Sequence, residues 1–177
     1  MSRRFMLAAS LAGLAFVTST TARAAEKRTI VETAVAAGNF KTLAAALQAA
    51  DLVDALQGEG PFTVFAPTDQ AFVDLLGALN LNSLEEVVAA IGVEGLTSIL
   101  LYHVVDACAV SNSLENDAAI PTLLGEEVIV DLDNLGIIDK TGTASGLIPE
   151  LLDIRTNNGV IHAIDKVLIP QVILDQL

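Results

Sequence analysis

Two textures divide this chain, and their order limits what it can fold into. From Thr29 to Tyr102 the apolar residues recur mostly at helical spacing, whereas beyond Val104 short β-prone runs alternate with Gly, Asn and Asp. A parallel doubly wound sheet needs strand and helix to alternate along the chain, and that alternation is missing. The expected class is therefore α+β. No internal repeat or low-complexity linker interrupts the sequence, which predicts one domain over residues 25–177.

Local signals place the elements. Thr29-Ile30-Val31-Glu32 has capping-box spacing and opens a helix that Gly38 closes. Asn39 is the expected cap of the next helix, where Phe40, Leu43, Leu47 and Ala50 form one apolar stripe, and Asp51–Gln57 adds a further turn. Phe62-Thr63-Val64-Phe65 reads as a strand that stops at Pro67, after which Thr68 caps a helix carrying Phe72, Leu75 and Leu76. Asp69 sits where it favours the positive end of that helix dipole. Ser83-Leu84-Glu85-Glu86 repeats the capping box before a helix to Gly92, and another helix runs from Glu94 to about Tyr102. Strands are expected at Val104–Val110, Glu127–Leu132, Gly136–Asp139, Leu151–Thr156 and Val160–Ile169.

Composition narrows the core and the partners. Hydrophobic residues make up 53% of the 177 but aromatics only 4%, so the interior must be built from Ala, Val, Leu and Ile around six Phe, without Trp. A formal charge of -13 repels phosphate backbones and anionic lipid heads, which argues against nucleic-acid binding. Cys108 is alone, so no intramolecular disulfide forms. A buried thiol in a strand is expected there, with an exposed thiol linking two chains as the alternative.

The first 24 residues resemble an export leader. Arg3 and Arg4 precede an apolar run from Phe5 to Val17, and Ala22-Arg23-Ala24 offers small residues at the positions a signal peptidase reads, so cleavage is expected after Ala24. Ser2-Arg3-Arg4-Phe5-Met6-Leu7 also resembles a twin-arginine leader; an ordinary positive n-region is the alternative. The run is too short to span a bilayer permanently, and no later stretch reaches that length without charges or Gly, so no transmembrane segment is expected.

Chemistry-bearing patterns are few. His103 and His162 are the only histidines, too few for a zinc site even beside Asp69 or Asp165, and no metal or cofactor is expected. Asp131-Leu132-Asp133-Asn134-Leu135-Gly136 begins like a calcium loop, but Leu135 occupies a ligand position and Gly142 stands where the bidentate Glu belongs. Gly142-Thr143-Ala144-Ser145-Gly146 misses a nucleophile elbow by one position and reads as a flexible hairpin tip. No acid-base pair or nucleophile motif is offered, so catalysis is not expected. A carrier for a small apolar ligand, held between helices and sheet, is the alternative to an interaction module.

Three segments resemble the signatures of the fasciclin family. Residues Phe62 to Phe72, including Phe65, Pro67, Thr68 and Asp69, are similar to its first box; Tyr102-His103 is similar to its Tyr-His motif; Asn158 to Pro170, with Gly159 and His162, is similar to its second box. The resemblance implies a wedge of two β-sheets flanked by the N-terminal helices and a role in adhesion or matrix assembly, on a cell-surface or matrix protein or a polysaccharide, with weak self-association as a further option. It implies single secreted or periplasmic domains among bacterial members. His103 is implied to pack and hydrogen-bond near the acidic end of the first box. Asp153-Ile154 matches by position the element implicated in integrin recognition in animal fasciclin domains. The expected contact patch therefore combines the Tyr102-His103 corner with Asp153-Ile154. Asn158-Gly159 is the dipeptide of a tight hairpin turn with positive φ at both positions.

Overall fold

The computed structural model describes residues 28–175, so the leader expected over residues 1–24 lies outside the described residues. Helix α1 (Ile30–Ala37) starts on the expected capping box: the Thr29 hydroxyl accepts from the Glu32 N–H at 3.3 Å and the Glu32 carboxylate accepts from the Thr29 N–H at 2.9 Å. It ends at Gly38, whose φ of 78° suits a residue without Cβ. Helix α2 (Lys41–Ala49) differs from expectation at its start. Phe40, fully buried, takes the N-cap position, and the free donor of Thr42 is met instead by the Asp69 carboxylate at 2.7 Å. A charged acceptor arriving from beyond the first strand replaces the local Asn39 cap.

Helix α3 (Val53–Gln57) is followed by strand β1 (Phe62–Pro67) and helix α4 (Asp69–Ala78), whose first turn is capped by Thr68 through the Ala71 N–H at 3.3 Å. The two helices expected on either side of Gly92 are found, and they follow each other across a kink within α5 (Leu84–Tyr102), where Gly92 is non-helical at φ 76° and ψ 170°. Strands β2 (Val104–Val105), β3 (Ala119–Pro121), β4 (Glu127–Asp131), β5 (Gly136–Ile138), β6 (Ala144–Gly146), β7 (Ile154–Arg155) and β8 (Gly159–Ile164) precede a final turn of helix, α6 (Gln171–Leu174). Gly142 lies in the β5–β6 hairpin at φ 81°. That tip is braced rather than loose, because Asp139 accepts from the N–H groups of Thr141 and Thr143, each at 2.9 Å.

Two four-stranded sheets result, in the orders β2-β1-β8-β7 and β3-β4-β5-β6. The pair at the centre of the first is parallel and joins the two signature segments residue by residue, from Phe62 opposite Gly159 to Pro67 opposite Ile164. Both faces of this sheet are covered. Val64, Ala66, Ile161 and Ala163 face the helices, with Phe40, Leu43, Phe72 and Leu96, while Phe65 and Ile164 pack with Tyr102, Val128, Val130 and Ile137 between the sheets. Burial on both sides explains why β1 and β8 read as continuous apolar runs rather than alternating ones. The α+β wedge of two sheets flanked by N-terminal helices is thus the architecture observed.

Two expectations are corrected here. Cys108 is exposed, not a buried strand thiol. The strand expected over Val104–Val110 ends at Val105, and the Thr63 hydroxyl then donates to the Ala107 carbonyl at 2.6 Å and accepts from the Ala109 N–H at 2.8 Å. Gripped on both sides, the intervening Cys108 is turned outward. Asn158-Gly159, second, has positive φ at neither position. Asn158 is buried, and its amide spans three segments: it donates to the carbonyls of Leu56 at 2.6 Å and Gly58 at 3.0 Å and accepts from the Ile30 N–H at 3.1 Å. Gly159 is needed for proximity, since a Cβ there would lie 2.0 Å from the Phe62 carbonyl oxygen of the parallel partner.

Candidate functional site

Tyr102 and His103 close helix α5 and point inward. Both are fully buried, at 0% and 1% exposure, so the surface corner expected of them does not exist. The apolar C-terminal turn of α5 carries them into the space between the sheets. The Tyr102 oxygen accepts from the Lys140 N–H at 2.9 Å and donates to the Glu127 carbonyl at 3.3 Å, tying the helix to the second sheet. Burial raises the phenol above its usual range. His103 Nε2 accepts from the Leu168 N–H at 2.9 Å, which places the ring proton on Nδ1, where it is donated to the Ile99 carbonyl at 2.7 Å.

Burial pushes the His103 imidazole down to about 4, against the opposing pull of the Ile99 carbonyl and the Asp139 charge. The unfolded chain takes up this proton near pH 6.5, so the stability it represents is complete above that value and is lost as pH falls toward about 4. Between pH 7 and pH 5 the loss is roughly 2 kcal/mol. Urea unfolding at both pH values is expected to show most of this difference vanish in His103→Asn, which is less stable at pH 7 but lacks the titrating ring. An equal pH dependence in both proteins would disprove the assignment.

His162 mirrors this arrangement with the opposite tautomer. Its Nδ1 accepts from the Asp153 N–H at 3.3 Å, its Nε2–H donates to the Ala109 carbonyl at 2.7 Å, and its ring stacks on Phe65 with centroids 5.9 Å apart. Asp153, at φ 51°, turns its carboxylate onto Ser111, accepting from both the backbone N–H and the hydroxyl. Those Ser111 bonds hold its carboxyl below the usual range. Ser, Asp and His thus meet, but the hydroxyl is bonded to the carboxylate and the imidazole to a carbonyl, so the serine has no base positioned to activate it. Ile154 is half-buried and packs on the helical core. In the expected Asp153-Ile154 pair, Asp153 sets the loop at Ser111 while its side chain stays 31% exposed, and the half-buried Ile154 anchors β7.

The concave feature beside this network is a groove of about 700 Å³. Its walls are the loop Gln57–Pro61, the segment around Cys108 and Val110, and the hairpin from Arg155 to Val160. Gln57, Glu59, Arg155 and Asn157 are exposed around it, and their side chains make no hydrogen bond within the described residues. By contrast, two apolar clefts, one among α4, α5 and α6 and the other among α2, α4 and α5, hold about 10 Å³ each, room for one water molecule, so neither accommodates the small apolar ligand of the carrier alternative. Among the described residues no three His, Cys, Asp or Glu side chains gather to hold a metal, and every buried side-chain polar atom has a partner.

Residues 38–170, which contain both boxes and this network, match the fasciclin domain. The chain belongs to the fasciclin family. "Protein sll1483" of Synechocystis sp. is 41% identical over 145 residues, covering 80% of this chain and 73% of that protein. "Cell surface glycolipoprotein MPB83" of Mycobacterium bovis is 35% identical over 122 residues, covering 68% of this chain and 48% of that protein. A solved fasciclin domain pair from the insect cell adhesion molecule Fasciclin I superposes with a TM-score of 0.67 at 17% identity, over 85% of this chain and 53% of that one, which supports the fold.

In this fasciclin domain the signature residues are structural. Phe65, Pro67, Thr68, Asp69, Phe72, Asn158, Gly159 and His162 build the parallel strand pair, its caps and its cross-links. Of the groove lining, Cys108, Asn158 and Gly159 were singled out from the sequence for other reasons, whereas Gln57, Glu59, Arg155 and Asn157 were not. Arg155 carried the one available signal, as one of few cations in an acidic chain.

Proposed function

We propose that this fasciclin domain is an exported interaction module, working at the periplasm, cell surface or matrix without catalysis, that grips its partner in the three-loop groove. The observation that carries the reading is the convergence of exposed polar side chains from Gln57, Glu59, Arg155 and Asn157 on one concavity, while the buried side-chain polar atoms of the described residues are all satisfied internally. The relatives support the setting: one is described as a cell surface glycolipoprotein and another as a cell adhesion molecule. The leader-like start, Arg3-Arg4 followed by Phe5–Val17 and Ala22-Arg23-Ala24, supports export. No helix among the described residues is long and apolar enough to cross a membrane.

Asp153 acts through the groove wall, since its bonds to Ser111 fix the segment that carries Val110. The test uses the full chain, expressed with its own leader and recovered after export. Its binding to intact cells and to envelope polysaccharide of the organism that makes it is compared with that of Arg155→Ala/Asn157→Ala. The double variant is expected to bind about tenfold more weakly with an unchanged melting curve. Equal binding would remove the groove, and a chain found only in the cytoplasmic fraction would remove the export claim.

A further inference from the structure

The outward face of the second sheet carries an apolar row built from every one of its strands. Ala119 lies opposite Ile129, Ile129 opposite Ile138, and Ile138 opposite Ala144, in continuous register across β3, β4, β5 and β6. The inward-facing neighbours Val128, Val130 and Ile137 are fully buried, whereas Ile129 is 40% exposed and Ala119 and Ala144 are exposed. Pairing of the two isoleucines across strands explains part of this choice. It does not explain why the row continues through the exposed Ala119 and Ala144 to both edge strands of the sheet.

Charge says what fits there. Glu127 and Asp131 bracket Ile129 on the same strand and face, and from Ala119 to Gly146 the chain carries five acidic residues against Lys140 alone. A second copy would bring the same acids against these and repel. We propose that this face is a second contact surface, independent of the groove, for a protein partner that presents apolar side chains bordered by lysine or arginine.

Fluorescence anisotropy with a labelled short peptide of alternating Val and Lys, titrated with the full-length protein at low salt, tests this. Saturable binding is expected, weakening about tenfold in Ile129→Ser/Ile138→Ser, which leaves every charge in place. Val73→Ser, which removes a more exposed apolar side chain on α4, is expected to leave the affinity within about twofold. Equal affinity in the double variant overturns the proposal, because charge alone then accounts for binding. So does equal binding of a Val-Glu peptide, or a dimer in sedimentation that Ile129→Ser abolishes, which would make a second copy the occupant. Should the double variant fail to fold, peptide-induced amide shifts in the natural protein decide: confinement to β3–β6 supports the face, and a spread over acidic loops sinks it.

Discussion

Truncation of Tyr102 to alanine is expected to lower the unfolding free energy by about 4 kcal/mol, which corresponds to a melting temperature lower by about 10 °C. The ring is fully buried among Phe65, Val128, Val130 and Ile137, where the two sheets and the end of α5 meet. Its removal leaves a cavity in a region walled by strands that cannot close inward without breaking their pairing. Two backbone groups, the Lys140 N–H and the Glu127 carbonyl, also lose their partner. Tyr102→Phe separates these contributions: it keeps the volume and should cost about 1–3 kcal/mol through the unmet hydrogen bonds. Thermal and urea unfolding of the two variants check the ordering. A Tyr102→Ala protein as stable as the natural one would contradict the inward placement of the ring.

That placement bears on function. With Tyr102, His103 and His162 all inside, the residues that make the family recognisable hold the two sheets and the helices together, and the contact proposed above rests on exposed residues beside them. The groove is assembled by these same struts. His162 and Asp153 fix Ala109 and Ser111 on one wall, and Asn158 fixes Leu56 and Gly58 on the other. A packed frame that carries exposed loops is a common division of labour between scaffold and site.

What the sequence made legible was local. The caps at Thr29, Thr68 and Ser83 follow from donors three residues away, and the Gly38 and Gly92 breaks follow from backbone freedom alone. Expectations failed where a partner distant in the chain decided the outcome. Asn39 lost its capping role to Asp69, Cys108 was turned outward by Thr63, and the strand expected over Leu151–Thr156 shrank to Ile154–Arg155 once Asp153 took a left-handed conformation to reach Ser111. The Tyr102-His103 corner failed differently. Its neighbours Leu100, Val104 and Val105 are as buried as it is, and a reading of that apolar context would have placed the pair inside.

Asn158 is where the long-range term is largest, and its replacement by alanine is expected to cost on the order of 4 kcal/mol. The side chain supplies an acceptor to the Ile30 N–H, 128 residues away, and donors to the carbonyls of Leu56 and Gly58, about 100 residues away. Ile30 and Leu56 are buried, so water does not readily replace the lost partner. Asn158→Asp keeps the acceptor for Ile30 but turns a negative oxygen toward two carbonyls, and it should be at least as damaging at neutral pH. Hydrogen exchange gives a readout specific to this strut: the Ile30 amide should exchange faster in Asn158→Ala, beyond the change set by global stability. If Ile30 keeps its protection in that variant and stability falls by less than about 1 kcal/mol, the residue is a simple turn former and the cross-link between α1, α3 and β8 is not what secures the groove wall.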